Sequence, residues 1–262
     1  GEMSGSSNGG MAGIAGLNTF LDERFFLTLQ YHNYGRDYQN LYNNPFAESS
    51  AISNEKGFYF GFKALVDKYI SISGYIDHYS FPWLKYRISS PSLGRDYLVQ
   101  INLNPKKELS SYFRYRFKNK QENYKLDYNY MPLIGEIERH ELRYFISYNI
   151  SNHIILKNRL DVVIYKNDYE SNEYGYLLFQ DILYRPDMFP LEATFRYSLF
   201  STDGYNSRIY TYENDVLYAF SVPSYFNNGQ RFYLMLKWRI MPQISMWLRI
   251  ARTTYFNQNT IG

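Results

Sequence analysis

The sequence predicts an all-β fold, an antiparallel transmembrane β-barrel of outer-membrane type, on three observations. Segments of about ten residues alternate apolar and polar side chains with period two. The connections between them alternate short and long. Aromatic residues make up 20% of the chain, with 30 Tyr and 19 Phe against 3 Trp. The stretch SSYFRYRFKNK, 110–120, shows the pattern most plainly: Phe113, Tyr115 and Phe117 fall on one parity, and Arg114, Arg116 and Lys118 on the other. Successive side chains of a strand point to opposite faces, so this ribbon is greasy on one side and cationic on the other.

Twelve spanning strands follow from the periodicity, at 11–21, 24–34, 56–66, 69–79, 95–104, 109–118, 138–149, 153–165, 174–185, 190–200, 231–241 and 244–255. Phe25, Leu27, Leu29 and Tyr31 share a face in the second of them, and Phe58, Phe60, Phe62 and Ala64 in the third. In the later strands Leu191, Ala193, Phe195, Tyr197 and Leu199 oppose Glu192, Thr194, Arg196 and Ser198. Phe232, Leu234, Leu236 and Trp238 oppose Tyr233, Lys237 and Arg239, while Met246, Leu248 and Ile250 oppose Ser245 and Arg249.

Short connections fall after Leu21 and Val66 and at 105–108, 151–152, 186–189 and 242–243. Long ones are 35–55, 80–94, 119–137, 166–173 and 201–230. Tight turns on one side and long loops on the other are the hairpin pattern of an outer-membrane barrel. A soluble Tyr-rich sandwich has no reason to sort its loops by length. The last long stretch holds strand-like pieces at 208–212 and 215–220. A further spanning strand there would move the turn at 242–243 to the wrong side, so 201–230 is an excursion, an extra hairpin or a segment folded into the lumen. Residues 1–262 are read as a single barrel region cut at both ends, from a full barrel of about 14 or more strands.

Composition bounds the chemistry. The net charge is only +3, so bulk charge does not mark a nucleic-acid binder. With no Cys, disulfides, thiolate metal sites and thiol nucleophiles are excluded. No apolar run is long enough for a transmembrane helix. A Lys or Arg facing lipid at mid-membrane costs roughly 2–4 kcal/mol, so the charged parity faces the lumen. The expected lumen cluster is Lys63, Arg114, Arg116, Arg143, Lys157, Arg159, Arg196, Lys237, Arg239 and Arg249, opposed by Asp161 and Glu192. A basic lumen concentrates anions such as phosphate-bearing solutes, nucleic acid or acidic lipid headgroups. Narrow barrels also fill their interiors with self-satisfying Arg–Glu networks, and that reading stands beside the first.

Other constellations are sparse. His32, His78, His140 and His153 are scattered and lack metal-ligand spacing. Ser80 lies beside a long loop without an orienting partner and reads as a rim residue rather than a nucleophile. Asp203, Asn206, Glu213 and Asp215 offer oxygen ligands for loop calcium, or turn chemistry alone. The polar loop 40–55 carries Phe46 and reads as a lid or partner surface. No cofactor motif occurs, and no enzyme activity is expected.

Three blocks, GRDYQNLYNNPFAESSAISNEKGFYFGF (35–62), FPWLKYRISSPSLGRDYLVQ (81–100) and DGYNSRIYTYENDVLYAFSVPSYF (203–226), resemble a family of large bacterial outer-membrane proteins. In that family the barrel follows a helix-hairpin-helix segment similar to those of competence-type DNA-binding proteins. The resemblance implies outer-membrane localisation and a possible link to DNA through a neighbouring segment; it transfers no catalytic residues. The expected role is transport or uptake of DNA or another anionic cargo. The alternatives are a sealed structural or assembly subunit whose loops bind partner proteins, and a rim-sited enzyme. Expected partners are the lipid bilayer with its lipopolysaccharide and other outer-membrane or surface lipoprotein subunits.

Overall fold

The computed structural model describes residues 1–40, 45–50, 52–124 and 132–257. It is all-β, with no helix among the described residues. The strands are β1 (Glu2–Gly5), β2 (Met11–Asp22), β3 (Phe25–Tyr34), β4 (Glu55–Leu65), β5 (Ile70–Phe81), β6 (Ser92–Lys106), β7 (Leu109–Tyr124) and β8 (Leu133–Asn149). They continue as β9 (Ile154–Asn167), β10 (Glu170–Tyr184), β11 (Leu191–Thr202), β12 (Ile209–Tyr210), β13 (Ser224–Tyr225), β14 (Asn228–Met241) and β15 (Ile244–Tyr255). Thirteen of them pair in sequence order, β1 through β11 and then β14 and β15, while β12 and β13 make a separate two-stranded pair.

All twelve expected strands are present, and β11 pairs directly with β14, so 201–230 is the excursion that the turn parity requires. β1 is an additional short strand, laid antiparallel on β2. The strand-like piece at 215–220 is instead a turn, with Tyr218 at φ 68°, and the partner of β12 lies further on at β13.

One expected loop is corrected. Residues 166–173 form no long connection: β9 and β10 run on to a two-residue turn at Asp168 and Tyr169. The Asn167 side-chain oxygen accepts the Tyr169 N–H at 3.2 Å, and the Asp168 carboxylate accepts the Glu136 N–H at 2.8 Å. The Tyr169 ring stacks on Tyr124 with centroids 4.5 Å apart. It lies so close over Gly135 that a Cβ there would fall 2.4 Å from the ring, an aromatic covering a strand glycine. The 119–137 connection is shorter than expected, because β7 reaches Tyr124 and β8 begins at Leu133; residues 125–131 lie outside the described residues.

By the density of contacts the chain divides into two compact units. The first comprises Gly1–Ile101, Tyr115–His140 and Lys166–Ser171; the second comprises Asn102–Arg114, Glu141–Tyr165 and Asn172–Gly262. Each shows the same division of faces. In the second, Tyr176, Leu178, Ile182, Phe195, Tyr197 and Leu199 are exposed while Asp181, Arg196, Ser198 and Arg159 are buried. In the first, Phe58, Ile76 and Val99 are exposed while His32, Glu55 and Asp96 are buried. Apolar outside and polar inside inverts the arrangement of a water-soluble sheet.

A Gly135→Val substitution should displace the Tyr169 ring and cost about 1–3 kcal/mol. Thermal unfolding of the detergent-folded protein measures this, and an unchanged midpoint would show that the ring does not depend on the glycine.

Candidate functional site

The second unit carries its charges on the buried parity of β9, β10, β11, β14 and β15, and the 203–227 excursion lies on that face as a strap. Residues 207–213, SRIYTYE, alternate again: Ser207, Ile209, Thr211 and Glu213 are buried, whereas Tyr210 and Tyr212 are exposed. Period-two alternation therefore lays one edge of the strap on the sheet.

Apolar contact sets its position at one end. Ile209 and Tyr225 pack into a cluster with Val163, Leu177, Phe179 and Phe200, with Tyr255 against it. Burying a side chain such as Ile209 contributes about 1.5–3 kcal/mol. Close backbone approach needs Gly175, where a Cβ would lie 2.4 Å from the Ser207 carbonyl oxygen. The Glu173 carboxylate accepts the Ser207 N–H at 3.0 Å and the Asn206 amide at 2.8 Å.

Guanidinium groups hold the rest. Arg196 forms a bidentate pair with Asp181 at 2.5 and 2.8 Å, donates to the Tyr212 carbonyl at 2.8 Å and lies 3.7 Å from the Phe179 ring centroid. Arg159 pairs with Asp161 at 2.6 Å and donates to Thr211 Oγ1 at 3.0 Å. Asp161 also takes Arg143 at 2.5 Å. Glu213, 0% exposed, receives Arg231 Nε and Nη2, each at 2.8 Å, the Tyr225 hydroxyl at 2.7 Å and Arg249. Arg249 further donates to the Asn214 carbonyl at 3.2 Å. Burial pushes the Glu213 carboxyl up, but the hydrogen bonds from Arg231 and Tyr225 and the charges of Arg231 and Arg249 hold it below its ordinary range. Burial and the Glu213 charge push the Tyr225 phenol up.

The ten expected lumen cations are not one free cluster. Arg143, Arg159, Arg196 and Arg249 join the networks above, and Lys237 pairs with Glu192 at 2.9 Å with Arg239 at 3.9 Å. In the first unit Arg116 pairs with Asp96, and Lys118 pairs with Glu48. Arg114 lies over the Tyr112 ring, 5.4 Å from its centroid. Lys63 and Lys157 have no acidic partner among the described residues. Asp96, Asp181 and Glu48 are carboxylates that sequence reasoning missed, and Glu213, expected as a calcium ligand, pairs with arginines instead. Alternation in the 95–104 strand puts Asp96 on the parity opposite Tyr97, Val99 and Ile101, but no sequence signal pairs it with Arg116.

The expected calcium residues do not converge. Asp203 accepts the Tyr174 N–H at 2.9 Å, Asn206 is held by Glu173, and Asp215 caps the Val216 N–H at 2.8 Å. Glu213 faces two guanidiniums, which repel a divalent cation, and no metal-holding group of three or more His, Cys, Asp or Glu occurs among the described residues.

The first unit has a smaller counterpart built from the loop after β3. His32 Nε2 meets Glu55 at 3.0 Å, both buried, and Glu55 also accepts the N–H groups of Glu48 at 2.8 Å and Ser49 at 3.0 Å. Phe46 packs edge-on against His32 and Tyr59, with centroids 5.9 and 5.2 Å away. Phe46 thus anchors its loop inward on the polar face. Ser80 Oγ donates to the Lys56 carbonyl at 3.5 Å. His78 meets the Tyr97 hydroxyl at 2.9 Å, and His140 meets that of Tyr115 at 2.8 Å. His153 lies 3.7 Å from the Asp187 carboxylate.

No protein-family model matches the chain, and no curated protein matches it. Among solved structures the chain is similar to OmpT, an outer membrane protein of Vibrio cholerae, at 11% identity and a TM-score of 0.49, over 87% of this chain and 62% of that one. It is similar to the NanC porin at 10% identity and 0.33, over 75% of this chain and 83% of that one. It is also similar to the TodX monoaromatic hydrocarbon channel at 10% identity and 0.37, over 92% and 76%. The chain therefore spans less than two thirds of the length of OmpT.

With its folded pKa depressed, Glu213 stabilises the strap at pH above the free-glutamate value of about 4.3 and ceases to do so as pH falls through the lower folded value. Hydrogen exchange should show residues 207–214 protected at neutral pH and unprotected in acid. Glu213→Ala, which strands two guanidiniums, should cost about 3–5 kcal/mol and abolish that pH dependence. Protection equal to wild type in the variant would contradict the assignment.

Proposed function

We propose that this chain is the membrane-embedded part of a bacterial outer-membrane β-barrel with a transport or channel role, constricted by the strap at 203–227. The observation that carries this is the inverted sheet: strands β2–β11, β14 and β15 are 10 to 17 residues long, and from β4 onward they are mainly apolar on the exposed parity and carry charged or polar side chains on the other. A tilted strand of about 9–11 residues crosses the hydrocarbon core. The strap gives the polar face an obstacle held by ion pairs and apolar packing rather than by the hydrogen bonds of the sheet.

Cargo follows less directly. Most of the expected cations are spent on carboxylates, so attraction of anions rests on the field left after pairing, with Lys63 and Lys157 its foremost contributors. Nucleic acid as cargo is supported by the sequence resemblance alone. A sealed assembly subunit is the second reading, favoured by how fully the strap's polar groups are satisfied.

Refolded into planar bilayers, the wild type should conduct weakly, and removal of residues 207–219 should raise the conductance several-fold. Reversal potentials in a salt gradient should show anion preference, and single-stranded DNA should block the current. A strapless variant that never conducts, with stoichiometric partners after mild extraction, would establish the sealed subunit instead. In urea titrations with lipid vesicles, Leu199→Arg should cost roughly 2–4 kcal/mol. A negligible cost would mean that this face does not meet lipid.

A further inference from the structure

The first unit contains two cations of a different kind. Lys56 on β4 and Arg95 on β6 lie on the apolar parity, in line with Phe58, Phe60 and Phe62 on one strand and Tyr97, Val99 and Ile101 on the other. Both are exposed, and neither has an acidic partner among the described residues. Arg116 and Lys118, on the polar parity of the same unit, both have one. β5 runs between β4 and β6 and brings His78 and Ser80 to the same end of the same face. These four side chains, with Tyr31 and Phe58, line a cavity of about 390 Å³. No Asp or Glu among the described residues lines it. His78 and Tyr97 form an aromatic shelf, with ring centroids 5.4 Å apart. The larger cavity, about 770 Å³ against β1 and β2, differs because Arg36 there is already paired with Asp37.

We propose that this cavity binds the phosphate of an acidic membrane lipid, with Lys56 and Arg95 on the phosphate and the acyl chains along Phe58 and Leu93. This rests on the membrane reading above. Both cations stand where β4 and β6 begin and β5 ends, on the long-loop side, the level at which headgroups would meet the sheet. A cation on the lipid-facing parity is costly unless it reaches the interface or a counter-charge. No counter-charge comes from the described residues, and a phosphate supplies one with charge-assisted hydrogen bonds. The positions beneath are aromatic and aliphatic, which fits a ligand with an anionic head and an apolar tail and does not fit a free anion.

The test uses the full chain folded in detergent and mixed with diphosphoryl lipid A, its dephosphorylated counterpart or inorganic phosphate. Native mass spectrometry counts the molecules retained. The wild type should retain diphosphoryl lipid A at least about tenfold better than the dephosphorylated lipid. K56Q/R95Q should lose that preference, and K56R/R95K should keep it, which separates lost charge from lost folding. K106Q/K107Q, altered at the other end of β6, should behave as wild type. Equal retention of both lipids, equal loss in K106Q/K107Q, or full competition by inorganic phosphate would each overturn the proposal. A wild type that stays folded and monomeric without detergent would instead refute the membrane reading, whatever the lipid counts.

Discussion

A guanidinium cannot shed its charge, so one that is buried must find oxygen. On the polar face of the second unit this constraint organises everything else. Arg196 has a carboxylate at its own register position, Asp181, and satisfies itself within the ladder. Arg231 does not: its register partners are Ser198 and Thr253. Arg249 faces Met235. Their carboxylate has to come from outside the sheet, and Glu213 is what arrives. The strap's path is the one that brings Glu213 to both arginines while offering the carbonyls of Tyr212 and Asn214 to Arg196 and Arg249. Apolar packing of Ile209 and Tyr225 then selects among the strap positions that satisfy those charges.

The first unit solves a similar problem with different pieces. Lys118 draws in Glu48, and His32 with the Glu48 and Ser49 N–H groups occupies Glu55, while the half-exposed Phe46 ring packs on His32 and Tyr59. Tyrosine serves both faces. Tyr176, Tyr184 and Tyr197 stand exposed, whereas Tyr34 is buried with Ala12 and Tyr38, and Tyr225 and Tyr233 are buried beside Glu213 and Arg196. A phenol fills space as an apolar ring and still offers a polar tip. Its abundance therefore reflects interior packing as well as the exposed face.

Legibility in the sequence follows the same physics. Strands such as β11 and β14 could be read with their faces correctly assigned, because one parity stays apolar over most of its length while charges fall only on the other, Phe200 and Met235 notwithstanding. The turn at Asp168 and Tyr169 could not, because KNDYESNEY is polar on both parities. Where no apolar layer is present, alternation leaves no trace, and strand and loop share one composition. The sign of the charged face was legible, but its balance was not. Parity tells which way Asp96 and Arg116 point, yet 20 residues separate them, and only the backbone's register makes them a pair. Glu213 lay furthest from view, since its role depends on a segment outside the ladder and on two strands that follow it.

Pairing also separates two meanings of a charged side chain. Within a few ångströms an Arg–Asp pair is a strong local object, but at the distance of a passing solute its fields largely cancel. Counting cations on the polar face thus overstates the potential there; what matters is the unpaired remainder. On the apolar parity the reasoning reverses. The neighbours of Lys56 and Arg95 along their strands are aromatic and aliphatic, and a carboxylate placed among them would pay its own desolvation before offering any attraction. A cation at that rim is compensated more cheaply by solvent or by a charge brought from outside the polypeptide. The same element of sequence, a basic residue in an alternating strand, therefore reports internal architecture on one parity and external contact on the other.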